Sequence, residues 1–389
     1  MASISIKVFQ GKEGFHKIKN DWNRIVDTLK DKHLIHLYEW YKSYIDTVDD
    51  NDFNAIFLVM YRNSEPFAIF PIEEHVKNIV GFKFRILQVP HCNDIDMVDF
   101  IFEKKNDTEK LMELLIDNLE KYLNHKWDCI YFPNVLENSS IYFSLQKSPI
   151  NRVTVDKVGE CHYLQCGSYE TLSNTFSGNF RNQLKKKRNR LSRLGNFEYI
   201  SIRKKDTIKK AFDDFLEIEA SGWKGAIGTA IKPRSKIKRF YENLIDNFSD
   251  NDKCEINFLK INNEIVAGSF HLLTDNTFYL LKTGYDNKYS KVSPGVLLQD
   301  SVIKKYSNDP AFKTINMISD YKWGISWNPL SMDVFNIIVF NKSVSGLIYY
   351  YLIDFLAIKY RRYIKPMLSK YEKHVKRIKK NERTMLNVD

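Results

Sequence analysis

The segment CEINFLKINNEIVAGSFHLLTDNTFYLLKTGYDNKYSKVSPGVLL, residues 254–298, decides the fold class. Three apolar runs, 255–261, 265–274 and 277–285, are separated by Asn262-Asn263-Glu264 and Asp275-Asn276, residues suited to tight hairpin turns. They read as an antiparallel meander. Directly after it, Ser293 and Pro294 take the N-cap and first-turn positions of a helix through Val296, Leu297 and Ile303, and a strand at 314–318 succeeds that helix. Upstream, Ser177 caps a basic helix through Phe180, Leu184, Leu191 and Leu194 that ends at Gly195. A strand at 197–203 and helices at 206–221 and 235–248 complete this half.

The first half repeats the plan more weakly. A strand at 4–9 leads into helices at 14–29 and 36–48, and a hairpin turns at Arg62-Asn63-Ser64-Glu65 between strands 57–61 and 66–72. Strands at 84–89 and 98–102, a helix at 108–123 and a strand at 129–132 follow, with a linker expected around 148–159. The expected division is therefore 1–150, 160–345 and a basic helical tail, 346–389. At 389 residues with 43% hydrophobic and 28% charged residues, the chain is an ordinary globular protein with room for two cores.

The N-terminus shows no leader pattern, and the most apolar stretch, 347–358, is shorter than a membrane span and carries Asp354, so a cytoplasmic protein is expected. The five cysteines are scattered and the His33-x-x-His36 pair lacks further ligands, so no metal is expected. The net charge is +11, yet residues 180–194 alone hold seven basic residues and no acid, and 358–389 eleven basic against three acidic. These two segments carry more than the whole excess, so an anionic partner would be met at one of them. The tail mixes aromatics with Lys and Arg at helical spacing and reads either as a packed helix with a basic end or as a helix lying on the inner face of an anionic membrane.

Three places can hold chemistry. The helix start at Ser293, Pro294 and Gly295, with Lys288 and Lys291 just before it, offers backbone N–H groups to a phosphate, or is simply a capped helix. The loop from Gly222 to Gly228 presents Trp223 and Lys224 between glycines that permit close approach. Asp320, Tyr321, Lys322 and Trp323, with Trp327 beyond, sit past the strand that follows the capped helix. Serine-hydrolase, P-loop, zincin and dinucleotide motifs are all missing.

Phe180-Arg181-x-x-Leu184, Gly222-Trp223-Lys224-Gly225, Tyr285-Asp286-x-x-Tyr289-x-x-x-Ser293-Pro294-Gly295-x-Leu297-Leu298 and Tyr321-Lys322-x-x-x-Trp327 together make the chain resemble the CelD-like acyltransferases of the GNAT superfamily, relatives of the Fem peptidyltransferases. Tyr38-Glu39-Trp40, Pro71-Ile72 and 96–100 extend the resemblance through most of the chain up to about Phe340. It implies an α/β protein of tandem GNAT-like domains, each a mixed, mainly antiparallel twisted sheet flanked by helices. It also implies transfer of an acetyl or longer acyl group from acyl-CoA (acetyl-CoA) to an amine or hydroxyl of a sugar or envelope precursor. The usual Q/R-x-x-G-x-G/A pyrophosphate loop is replaced by the segment from Tyr285 to Gly295. Tyr285, Lys291, Ser293, Gly295, Trp223 and Lys224 are the expected donor-binding residues, and Lys322, with Asp320, His271 and Tyr321, the expected catalytic group. His271 reads equally well as a core histidine. The Fem kinship leaves a second donor open, aminoacyl-tRNA, met by the basic helix.

Overall fold

The computed structural model describes residues 4–29, 32–49, 53–79, 81–91, 97–103, 108–147, 152–318 and 324–359. The first half comprises β1 (Ile4–Gln10), α1 (Gly11–Lys17), α2 (Lys19–Asp27), α3 (Tyr38–Ile45), β2 (Ile56–Arg62), β3 (Glu65–Ile79), β4 (Phe82–Gln88), β5 (Ile101–Phe102), α4 (Thr108–Leu123), β6 (Cys129–Leu136), α5 (Ser140–Lys147) and β7 (Val153–Gln165). The second comprises α6 (Tyr169–Asn174), α7 (Gly178–Ser192), β8 (Phe197–Ile202), α8 (Lys205–Ser221), α9 (Trp223–Ala226), α10 (Ser235–Phe248), β9 (Cys254–Ile261), β10 (Glu264–Leu273), β11 (Thr277–Tyr285), α11 (Pro294–Ser307), β12 (Thr314–Asn316), β13 (Leu330–Phe340) and α12 (Val344–Lys359). Both halves run strand, helices, three-stranded meander, helix, strand, which is the tandem plan the resemblance implies.

The meanders form where the turn chemistry dictates. Asn63 and Ser64 (φ 49° and 68°) and Asn262 and Asn263 (φ 48° and 70°) adopt the paired left-handed conformation of two-residue hairpins. The segment expected as a linker differs from expectation: residues 153–159 are the first part of β7. Its Val153, Val155 and Val158 favour extended backbone, and its partners lie far away in sequence.

All strands but β5 follow one another in a single sheet, in the order β1-β2-β3-β4-β6-β13-β7-β12-β11-β10-β9-β8, and β5 pairs with β3. The two meanders are joined through exchanged strands. β7, the last strand of the first half, pairs with β12 (Ile315 opposite Leu164), while β13, the last of the second, pairs with β6 (Ile338 opposite Tyr131) and with β7. Each half thus completes the other's sheet. Only two neighbouring pairs along this path are parallel, β4 with β6 and β11 with β12, and each runs for three residues before its strands part.

One core spans both halves. Phe15 stacks on Tyr38 at 4.3 Å, and Trp40 of α3 meets Phe240 of α10 edge-on at 5.6 Å. Beside that contact Asn243 Nδ2 donates to Ser43 O (3.2 Å) and Asn247 Nδ2 to Ser43 Oγ (2.9 Å). Such aromatic pairs add about 1 kcal/mol each beyond area burial, so the halves are fastened rather than tethered. A second core packs α7 and α11 on β9–β12 through Phe180, Leu184, Leu191, Leu297 and Trp327. A third lies under α12. The His33 and His36 pair builds a turn: His36 is buried with its Nε2 3.3 Å from Asp99 Oδ2. Among the described residues no cluster of metal-ligating side chains occurs.

Candidate active site

Beyond Tyr279, β11 has no pairing with β12 and continues to Tyr285 beside β10 only, so the sheet is open on that side of β11. Two of the four motifs read from the sequence meet at Tyr285. A Cβ on Gly222 would lie 2.8 Å from the Tyr285 carbonyl oxygen, and one on Gly295 3.3 Å from its ring. The first contact, against backbone, leaves no room for a side chain, and the second admits one if the Tyr285 ring gives by a few tenths of an ångström. The other two motifs join each other through the core, where Phe180 packs edge-on against Trp327 at 5.0 Å.

The turn after β11 positions the helix start. Asp286 Oδ1 accepts from Lys288 N (2.9 Å), the chain coils through 287–292, and Ser293 enters α11 in left-handed conformation (φ 53°). Ser293 is the N-cap and Pro294 the first helical residue, as expected, but the Ser293 side chain makes no capping bond. Val296 N and Leu297 N donate to Ser293 O (3.1 and 3.3 Å), and Pro294 has no N–H. The amide of Gly295 is thus the first-turn donor left over from the helix's own ladder, at the positive end of a 14-residue helix. Lys291 is exposed beside it, and α7 packs on the same turn, with Lys185 and Lys186 facing solvent.

Lys224 is placed differently from a residue reaching out for phosphate. Its Nζ donates to Thr283 O on β11 (2.9 Å) and lies 3.3 Å from Glu219 Oε1, while the buried Glu219 accepts from Ile231 N (2.9 Å) through its other oxygen. The lysine therefore pins its loop to the open part of β11. Trp223 opens α9 in that loop. Asp320, Tyr321 and Lys322 lie outside the described residues; of their flanks, Ile318 takes a left-handed φ of 66°, and a Cβ on Gly324 would lie 3.1 Å from Met317 Sδ.

His271 sits on β10 without exposed surface, its Nε2 2.7 Å from Ser269 Oγ and its ring 4.6 Å from that of Phe278. Burial drives its pKa down from 6.5 to about 3. It is a neutral core histidine, and the sign of its effect follows. Between pH 6.5 and 3 the unfolded chain binds a proton that the folded chain refuses, so stability is full above 6.5 and falls with acid. Going from pH 7.5 to 5.5 should cost the wild type more than His271→Gln, by about 1 kcal/mol. Urea titrations at the two pH values measure this, and equal losses would refute it.

Of the buried acids that escaped the sequence reading, Glu255 and Asp300 bind the most cations and hydroxyls around this site. Glu255, fully buried on β9, binds Arg203, Lys305 Nζ (3.0 Å), Tyr306 OH (2.6 Å) and Asn257 Nδ2 (2.7 Å). Asp300 of α11 accepts from Tyr169 OH (2.6 Å) and from Arg188 of the basic helix (2.8 Å), and burial raises its pKa. Arg188 thereby ties α7 to α11. An acid at the head of an apolar strand, as in Cys254-Glu255-Ile256, was the one local signal that could have betrayed the first.

Residues 178–322 match the family model of the acetyltransferase (GNAT) domain, so the second half of the chain carries a GNAT-type acetyltransferase domain. Among solved structures the chain is similar to FemX, at 12% identity over 86% of this chain and 98% of that one, with a TM-score of 0.58. It is similar also to a conserved protein of unknown function from Bacteroides thetaiotaomicron VPI-5482, at 14% identity over 83% and 97% and a TM-score of 0.52. At these identities the likeness is one of fold. No curated protein matches the chain.

Proposed function

We propose that the protein is an acyltransferase of the CelD-like kind, moving an acetyl or longer acyl group from acyl-CoA to an amine or hydroxyl of a sugar or envelope precursor. The observation that carries this reading is the convergence of Gly222, Tyr285 and Gly295 at the end of β11, inside the segment matching the acetyltransferase family. The division at 1–150, 160–345 and 346–389 assigns the donor to the second unit. The Gly295 amide, the dipole of α11 and Lys291 hold the pyrophosphate, and Tyr285 with the Trp223 and Lys224 loop walls the rest.

The acceptor nitrogen or oxygen attacks the thioester carbonyl, the carbonyl oxygen gains negative charge, and collapse expels the coenzyme A thiolate while a base takes the acceptor's proton. Lys322 stabilises the oxyanion, Tyr321 lines the site and Asp320 takes the proton. His271, neutral and enclosed, is left out of the chemistry.

Gly295→Val should weaken acetyl-CoA binding at least about ten-fold by crowding Tyr285 and the adjacent amide, with the melting temperature of the free protein nearly unchanged. Isothermal titration calorimetry reads the affinity, and an unaltered dissociation constant would remove the donor from this helix start. The exposed Lys185 and Lys186 beside the same turn favour one rival, a Fem-type transfer from aminoacyl-tRNA to an envelope precursor. Tight tRNA binding with a steep salt dependence, and no affinity for acetyl-CoA, would select it.

A further inference from the structure

We propose that α12 docks the protein on an anionic membrane. From Val344 to Ile358 this helix holds a single charged residue, Asp354. Its inner side packs on the sheet, Tyr349 against Phe84 at 4.7 Å and Tyr350 against Phe340 at 5.1 Å. A helix in such a position normally turns a polar face to water. This one turns outward Val344, Ile348 and Tyr351, spaced four and three apart, with 74%, 36% and 65% of their surfaces exposed. Phe82, 52% exposed at the start of β4 beside Phe84, extends the apolar surface.

Charge names the occupant. The chain from 358 to 389 carries eleven basic and three acidic residues, a density that anionic headgroups attract. A second copy seated on the same row would bring two such cationic segments together and be repelled. No described helix is long and apolar enough to cross a membrane. The row therefore enters the interface from the side while the cations hold it there, the two-signal arrangement needed for stable peripheral binding. This inference is independent of the donor and acceptor proposed above.

The full chain should sediment with vesicles of phosphatidylcholine containing about one third phosphatidylglycerol and stay in solution with phosphatidylcholine alone. Ile348→Glu with Tyr351→Glu should cut the bound fraction about ten-fold, and Arg361→Glu with Arg362→Glu and Lys365→Glu by a similar factor. Both sets should leave acetyl-CoA affinity unchanged. Absence of binding to anionic vesicles, or equal binding by the Ile348/Tyr351 variant, would overturn the proposal. So would a wild-type dimer that this variant converts to monomer without lipid binding, since the row would then be covered by a second copy.

Discussion

Replacing Glu255 by alanine is expected to destabilise the fold by about 3 kcal/mol at neutral pH, the lower end of the range for breaking a buried ion pair. The lower end applies because Arg203 and Lys305 keep 33% and 43% of their side-chain surface exposed and can turn to water, whereas Tyr306 and Asn257 lose a buried acceptor. The penalty depends on pH in a defined sense. Burial alone would raise the Glu255 pKa, but Lys305 and then Arg203 outweigh it and hold the carboxyl at about 2, below its ordinary 4.5. The stabilisation is therefore complete above pH 4.5 and is lost as pH falls toward 2. Urea denaturation of wild type and Glu255→Ala should give curves that converge on acidification. Glu255→Gln, which keeps the acceptor for Tyr306 and loses the charge, should fall between them. A constant gap down to pH 3 would mean that packing, not charge, accounts for the loss.

Part of this architecture is legible in the sequence because it is written locally. The β9–β11 meander follows from apolar runs and the Asn262-Asn263 turn, and α4, α8 and α10 emerge within a residue or so of their apolar periodicity. The exchanged strands are not written that way. Residues 153–159 lie opposite 334–339 of β13, and β13 itself, for which the sequence offers no assignment, also lies against β6, some two hundred positions upstream. Nothing in the alternation of a strand names a partner at that distance.

The same distinction governs the site. Gly222, Tyr285 and Gly295 were found because glycines and a capped helix start leave local marks, and the structure brings them into contact. The partners of Lys224, by contrast, are the main-chain oxygen of Thr283 and the carboxylate of Glu219. A lysine beside glycines looks the same in sequence whether it grips a phosphate or fastens a loop. Asp300 and Arg188 are a further case: the basic run on α7 reads as a ligand surface or a solvated face, while one of its members is spent on holding the helix in place.

Lys322→Met is expected to lower kcat by about 100-fold, about 2.7 kcal/mol in activation free energy, and to leave acetyl-CoA affinity within about two-fold. Thioester aminolysis or alcoholysis gains most from a group that meets charge absent in the ground state, so loss of an oxyanion partner falls on kcat rather than on binding. Lys322 closes the segment matching the acetyltransferase family, and Gly324, two residues on, lies next to Met317 just past β12. Of the candidates named for chemistry, His271 is enclosed and neutral, which leaves the cation of this stretch as the proposed electrostatic partner. Lys322→Arg keeps the charge with a different reach and should recover part of the rate, while a purely structural salt bridge to Asp320 would instead make Lys322→Met and Asp320→Asn equally damaging to stability. Single-turnover rates with any acceptor that supports acyl transfer, paired with melting temperatures of the three variants, separate the two roles. Normal turnover in Lys322→Met would take the oxyanion role away from this lysine and leave the proposed site without an oxyanion partner.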